Sequence, residues 1–137
     1  MPAYEDPVVI AAQGTVGLEA LWDQPDFDVI LVPAVGGGLI CGVAIAAKTM
    51  NPNVRVIGVQ SEASPPWYYS FHAKQMVDVE YKESLAEGLF GKIGEENLRL
   101  ALNYVDDFIL VKEQDIAEAM CWMAQHHHHP VKKYYPS

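Results

Sequence analysis

The sequence predicts an α/β fold, three layers deep, built around a mostly parallel sheet. Three observations carry that expectation. Short β-branched runs at residues 28–33, 54–60 and 108–111 alternate with longer stretches of helical spacing. Strands separated by helices in this way pair in parallel rather than as hairpins. The length of 137 residues, half of them apolar, suits one domain with a proper core, and no internal repeat suggests a solenoid.

Each element has its own signal. Residues 14–22 (Gly14-Thr-Val-Gly-Leu-Glu-Ala-Leu-Trp22) are expected to form a short helix with Thr15 at or near its N-cap, ended by the Asp23-Gln24-Pro25 turn. Residues 28–33 are a continuous apolar run of strand length, which suits a strand covered on both faces. Residues 39–50 are alanine-rich and apolar nearly all round, as in a buried helix, and Asn51-Pro52-Asn53 breaks them. Residues 54–60 form the second strand. Pro65-Pro66 can sit in the first turn of the next helix, where no amide donor is needed, and that helix runs towards Lys74.

Residues 75–94 are expected to form a loop with a short extended piece at 76–79. Leu98, Leu102 and Val105 then recur at helical spacing over 95–105, and residues 108–111 are the third strand. Over 115–125, Ile116, Met120 and Met123 share one helix face.

Composition excludes several function classes. A net charge of −9 provides no basic footprint for nucleic acid or for an anionic membrane surface. No apolar run approaches the ~20 residues of a membrane span, and the first 20 residues show no signal-peptide pattern. Cys41 and Cys121 match no C-x-x-C spacing, which indicates neither a zinc site nor a disulfide framework. A cytoplasmic protein with two reduced thiols is expected.

The residues with the clearest chemistry are 33–42, Pro-Ala-Val-Gly-Gly-Gly-Leu-Ile-Cys-Gly, directly after the first strand and leading into a helix. A strand, a glycine loop and a helix N-terminus together form an anion site, because exposed amides and the helix dipole both favour negative charge. The simpler explanation is a tight turn into a closely packed helix. A nucleotide P-loop needs a following lysine, which is absent. A dinucleotide fingerprint needs G-x-G-x-x-G; Gly36 and Gly38 fit, but Cys41 stands in the third place. Glu62, after the second strand, stands about where a ribose-binding acid belongs, so a nucleotide or phosphometabolite binder remains an alternative.

Longer stretches carry a resemblance. Asp6-Pro-Val-Val-Ile-Ala-Ala-Gln-Gly-Thr15, the run from Asp28 through the triple glycine to Gly42, Val56-Ile-Gly-Val-Gln-Ser-Glu62, Ser84-Leu-Ala-Glu-Gly-Leu89 and Tyr104-Val-Asp-Asp-Phe-Ile-Leu-Val111 stand in order, followed by Ile116-Ala-Glu-Ala-Met120. Together they resemble the threonine dehydratase and serine racemase family, fold type II enzymes that use pyridoxal 5′-phosphate (PLP) and are related to the tryptophan synthase β-subunit. The resemblance implies a partial domain over residues 1–125, part of the family's large domain, followed by a divergent His-rich tail at 126–137. It assigns the PLP phosphate to the backbone amides of Val35, Gly36, Gly37, Gly38 and Leu39, and places Gly88 near the cofactor ring. Val35 stands where the family usually has Gly or Ser. Aromatic residues Trp67, Tyr68 and Tyr69 follow Glu62 where some members bind a cation, so no metal site is expected.

The resemblance also identifies what the sequence lacks. The family's catalytic lysine belongs to an S-x-K-x-R-G motif upstream of the part matched here, and none of the lysines in this sequence has that context. No catalytic residue is therefore assigned. The expected ligand is an amino acid or phosphate compound. A second copy or a partner chain is expected to supply missing strands, so the chain reads either as a partial dehydratase-like protein or as the inactive partner of a full-length relative. Other residues have ordinary explanations beside the functional ones. The four histidines from His126 can bind metal or simply end a helix before Pro130; Trp67-Tyr68-Tyr69 can line a pocket or pack on the sheet; Cys41 can be reactive or a small buried hydrophobe. Asp106-Asp107 reads as a polar turn, and Lys112 stands where relatives often have a capping serine.

Overall fold

A computed structural model describes residues 3–127. After a 3-10 turn at Ala3–Glu5, the order is α1 (Pro7–Asp23), β1 (Val29–Pro33), α2 (Gly38–Met50), β2 (Arg55–Ser61), α3 (Pro66–Ala73), a second 3-10 turn at Glu87–Leu89, α4 (Glu95–Tyr104), β3 (Asp107–Val111) and α5 (Glu113–His127). The three strands form one parallel sheet in the order β1-β2-β3. Val29 lies opposite Arg55, and Ile57 opposite Asp107. This is the expected α/β arrangement.

The first helix is nearly twice the expected length. It begins at Pro7, capped by Asp6, whose Oδ1 accepts the Val8 amide at 2.8 Å. Thr15 is no cap; its hydroxyl donates back to Ala12 O within the helix. Gly14, expected at the helix start, lies inside α1 with Gly17, and both serve packing. A Cβ on Gly14 would stand 3.0 Å from Gly42 O, and one on Gly17 3.0 Å from Val43 O. A Cβ on Gly42 would in turn collide with Ile10 O. The α1–α2 crossing is therefore backbone against backbone, which close-packed interiors permit only where side chains are missing.

The core lies between the sheet and helices α2, α3 and α4. Trp67 and Phe108 stack at its centre, centroids 5.0 Å apart and rings nearly parallel, with Phe71 at 4.9 Å from Phe108. Gly58 of β2 makes room for the Phe108 ring, since a Cβ there would overlap it. Helix α1 packs outside α2. At the start of β2, Asp106 accepts the Val56 amide at 2.7 Å and pairs with Lys48 at 2.8 Å, so this aspartate ties the last turn of α2 to the sheet.

Strand β1 is not covered on both faces. Val32 is buried towards the helices, whereas Leu31 is 59% exposed and Val29 41% exposed on the opposite face. The unbroken apolar run misled because this face of the sheet is left open among the described residues, and sequence period does not tell an open face from a covered one. Ile109 of β3 shares that outer face and is 38% exposed. The extended piece at 76–79 is not a strand; the Val77 amide is taken by Ser70 Oγ at 3.1 Å rather than by a neighbouring strand. Helix α5 starts two residues before the expected 115 and continues through His127. Ile116, Met120 and Met123 are half-buried along it. Residues 128–137 of the tail lie outside the described residues.

Gly42→Ala tests the helix crossing. Alanine is favoured over glycine in a helix by about 1 kcal/mol, but here its Cβ meets Ile10 O and stands 2.7 Å from Gly14 N. The expected result is a net loss of about 1–3 kcal/mol, as for other overpacked cores, read as a lower urea midpoint with an unchanged slope.

Candidate functional site

The glycine loop joins β1 to α2 and turns through Gly37, which sits at φ 105° in the left-handed region. Only glycine adopts that conformation without strain, and a Cβ there would also strike Trp67 and Asn97. A Cβ on Gly36 would overlap the Tyr4 ring. Packing alone therefore explains why side chains are absent from these positions. The hydrogen bonds explain something further.

The loop carbonyls point inward. Trp67 Nε1 donates to Val35 O at 2.7 Å, and Asn97 Nδ2 donates to Gly36 O at 2.9 Å. In a planar trans peptide the N–H points opposite to the C=O, and no peptide bond among the described residues is cis. Fixing the carbonyls of Val35 and Gly36 in the core therefore turns the amides of Gly36 and Gly37 outward. Among the described residues, the amides of Val35, Gly36, Gly37, Gly38 and Leu39 meet no protein acceptor. The first loop-to-helix bond is Cys41 N to Gly37 O at 3.0 Å. Orphan donors at a helix N-terminus, where the dipole is positive, suit an anion.

The loop borders a cavity of about 540 Å3, within the size range of small-molecule sites. All five residues of 35–39 line it. Tyr4, Val9 and Gln13 close one side, and Leu89, Phe90, Gly91 and Lys92 the other. Gly88 does not line the cavity; it is exposed in the second 3-10 turn, one residue from Leu89. Val35 is accommodated without a left-handed backbone, since Gly37 alone among the loop glycines has positive φ. Its side chain instead packs on the far wall, where a Cβ on Gly91 would stand 3.2 Å from Val35 Cγ2.

The far wall is tethered by a carboxylate that sequence reasoning missed. Glu113 Oε1 accepts the hydroxyls of Ser61 and Ser84, and its Oε2 accepts the Leu85 amide at 2.7 Å. Ser84 Oγ in turn accepts the Ala86 amide at 3.0 Å. Partial burial of Glu113 acts to raise its pKa, but the donors Ser61, Leu85 and Ser84 outweigh it and hold the carboxyl below its ordinary value. Tyr81 packs on Phe90 with centroids 5.0 Å apart, adding a second support.

Other singled-out residues fall elsewhere. Glu62 is exposed and lines a separate hollow with Asp78 and Glu80, away from the glycine loop. Gln60, two residues before it, is buried and braces the loop: its Nε2 donates to Ala34 O at 3.2 Å and its Oε1 accepts the Trp67 amide at 2.8 Å. Cys41 is fully buried against Asn97 O, and burial pushes its thiol up to about 12, so it stays protonated and unreactive. Trp67 packs in the core, as its ordinary explanation required, while its indole N–H also supports the loop. No cluster of metal-ligating side chains exists among the described residues. The His126 ring stacks on Trp122 at 4.8 Å. Asp107 accepts from His72 at 3.1 Å. Lys112 provides no side-chain cap; its amide instead donates to Asp115 Oδ2 at 3.3 Å. No helix among the described residues is long and apolar enough to cross a membrane.

The Glu113 tether makes acid sensitivity predictable. Its folded pKa is lowered, so its contribution to stability is fully present above the ordinary glutamate value and is lost as pH falls through the folded value. Glu113→Gln should flatten the acid limb of a stability–pH profile below about pH 4.3. At pH 7 the same variant should melt at lower temperature, because one amide cannot accept all three donors. An acid limb identical to that of the parent chain would refute the assignment.

Comparison with known proteins places the chain in a family. The pyridoxal-phosphate dependent enzyme family matches residues 1–134. The chain is 45% identical over 123 residues to an L-threonine ammonia-lyase of Thermotoga maritima, covering 89% of this chain and 31% of that protein. It is 42% identical over 126 residues to the catabolic L-threonine dehydratase TdcB of Escherichia coli K12, covering 91% and 38%. Among solved structures, a maize serine racemase superposes with a TM-score of 0.84 at 34% identity, covering 88% of this chain and 38% of that one. The chain thus spans between 31% and 38% of the length of these three proteins. With a match across nearly its whole length, this chain belongs to the family of pyridoxal-phosphate dependent enzymes.

Proposed function

We propose that the chain is the phosphate-holding part of a threonine or serine dehydratase-like PLP domain. The observation that carries this reading is the set of outward amides at residues 35–39, with no protein acceptor among the described residues. The fit is partial. The cradle suits a phosphate, but the sequence contains no S-x-K-x-R-G lysine. When bound, PLP supplies an electron sink at the substrate α-carbon. The chain's own contribution is binding and shielding: the amides of Val35, Gly36, Gly37, Gly38 and Leu39 hold the phosphate, and the α2 dipole adds positive potential. Leu89 and Phe90 present apolar surface that keeps water from one side of the ring. Gly88 lies in the adjoining turn, next to Leu89 but outside the cavity lining, and is the weaker candidate for a cofactor contact.

The open outer face of the sheet, with Leu31 and Ile109, supports a further part of this reading. An exposed apolar sheet face beside an edge strand calls for a covering partner. A second copy, or a chain supplying the rest of a dehydratase fold, meets that need, and the chain then works as one part of a composite site.

Two measurements test the reading together. Titration with PLP should show saturable binding that inorganic phosphate competes away, and Gly37→Ala should weaken it at least about tenfold through the loss of the left-handed turn. The chain alone, incubated with L-threonine and PLP, should form no 2-oxobutyrate above a PLP-only control. Turnover by the isolated chain would overturn the half-site reading, and PLP binding insensitive to phosphate would overturn the cradle.

A further inference from the structure

The two walls of the glycine-loop cavity meet at a side-chain contact. A Cβ built on Gly91 would stand 3.2 Å from Val35 Cγ2, so this valine reaches from the loop to the segment that carries Leu89 and Phe90. A backbone bond lies beside it, Gly94 N to Gly36 O at 3.4 Å, which is long for an N–H donor. Both partners of the side-chain contact are held in place. The Val35 carbonyl accepts Trp67 Nε1 at 2.7 Å, which fixes the backbone, and branching at Cβ leaves the side chain few rotamers. Opposite, the Tyr81 hydroxyl donates to the Gly91 carbonyl at 3.5 Å, and the Tyr81 ring packs on Phe90.

The far wall is thus tied at two ends. Upstream, Glu113 holds Ser84 and the Leu85 amide. Downstream, Val35 meets Gly91. Between the ties lie the Glu87–Leu89 turn and Phe90, which is 51% exposed. Gly91 does not have positive φ, so what a glycine supplies there is space for the valine methyl. Serine or glycine at position 35 would carry no γ-methyl and could not make this contact. The two positions are matched in size, a branched side chain against none.

Resting on the phosphate-cradle reading, we propose that Val35 is a specificity-determining residue: its side chain clasps the Leu89–Phe90 wall to the glycine loop, and the site thereby favours a phosphate monoester carrying a flat ring over bare phosphate. The backbone amide of residue 35 serves the anion whatever the side chain. The γ-methyls act on the other end of the ligand. With the clasp closed, the wall is ordered before binding, and a ring meets apolar surface without the entropy loss of ordering it. With the clasp removed, residues 87–90 must be ordered by the ligand, so the ring gains less while the phosphate gains the same.

The test compares pyridoxine phosphate with inorganic phosphate by calorimetry on the whole chain, alongside hydrogen exchange over residues 87–92 of the free protein. Val35→Ala removes both γ-methyls but keeps the amide and the turn at Gly37. It should weaken pyridoxine phosphate at least about fivefold while phosphate stays within about twofold, and it should speed exchange over 87–92. Val35→Thr, which keeps Cγ2, should behave as the parent chain does. Gly91→Ala added to Val35→Ala returns a carbon to the gap from the opposite wall and should recover most of the lost affinity, as coupling between contacting residues requires. Equal losses for both ligands, no loss for either, equal effects of Val35→Thr and Val35→Ala, or no recovery in the double variant would each overturn the clasp and leave the cradle standing. Failure of both ligands to bind the parent chain overturns the cradle reading, and this proposal with it.

Discussion

The structure depends on two inward hydrogen bonds, from Trp67 Nε1 to Val35 O and from Asn97 Nδ2 to Gly36 O. Peptide planarity converts them into a functional surface: once the carbonyls are held in the core, the neighbouring amides must face the other way. Trp67 is positioned by the Phe108 stack and by Gln60, and Asn97 by α4, which packs on α2. The Asn97 amide reaches Tyr4 O at 2.7 Å as well, drawing the first turn onto the loop. The central core thus acts as the template on which the loop is shaped. Removing one of these buried donors would leave a carbonyl without that partner, at a cost of about 1–3 kcal/mol.

Glycines do two different jobs here, and the sequence does not distinguish them. At Gly14, Gly17 and Gly42 they let two helices cross with their backbones in contact. At Gly37 they permit a left-handed turn. Both uses lie within thirty residues of each other in the chain, and α2 links them: its first turn ends the loop and its second meets α1. Displacement of α2 by a side chain at the crossing would carry directly to the cradle.

Much of the architecture was legible because hydrophobic period and length separate strands from helices. The three strands, the parallel pairing and the helix after the triple glycine all follow from that pattern. The start of α1 was not legible, since Gly14 and Thr15 imitate a helix beginning when Asp6-Pro7 is the actual one. Open and covered sheet faces also read alike: residues 28–33 are as apolar as a strand buried on both faces, although Leu31 is open. In the site, the triple glycine pointed to the loop, but nothing local distinguished Asn97 from a solvent-facing asparagine in a polar helix. Glu113 and Gln60 were equally silent. Their roles depend on Ser84, Ser61 and Ala34, contacts 26 to 52 residues away in sequence.

The braces beneath the loop share a further property. Trp67, Asn97 and Gln60 are all uncharged, so neither protons nor salt alter the bonds that shape the cradle. The opposite wall is held by a carboxylate, Glu113. The two sides of one cavity therefore differ in kind, a fixed side and a titratable side. On acidification the Glu113 tether weakens, whereas the bonds that shape the glycine loop have no proton to gain.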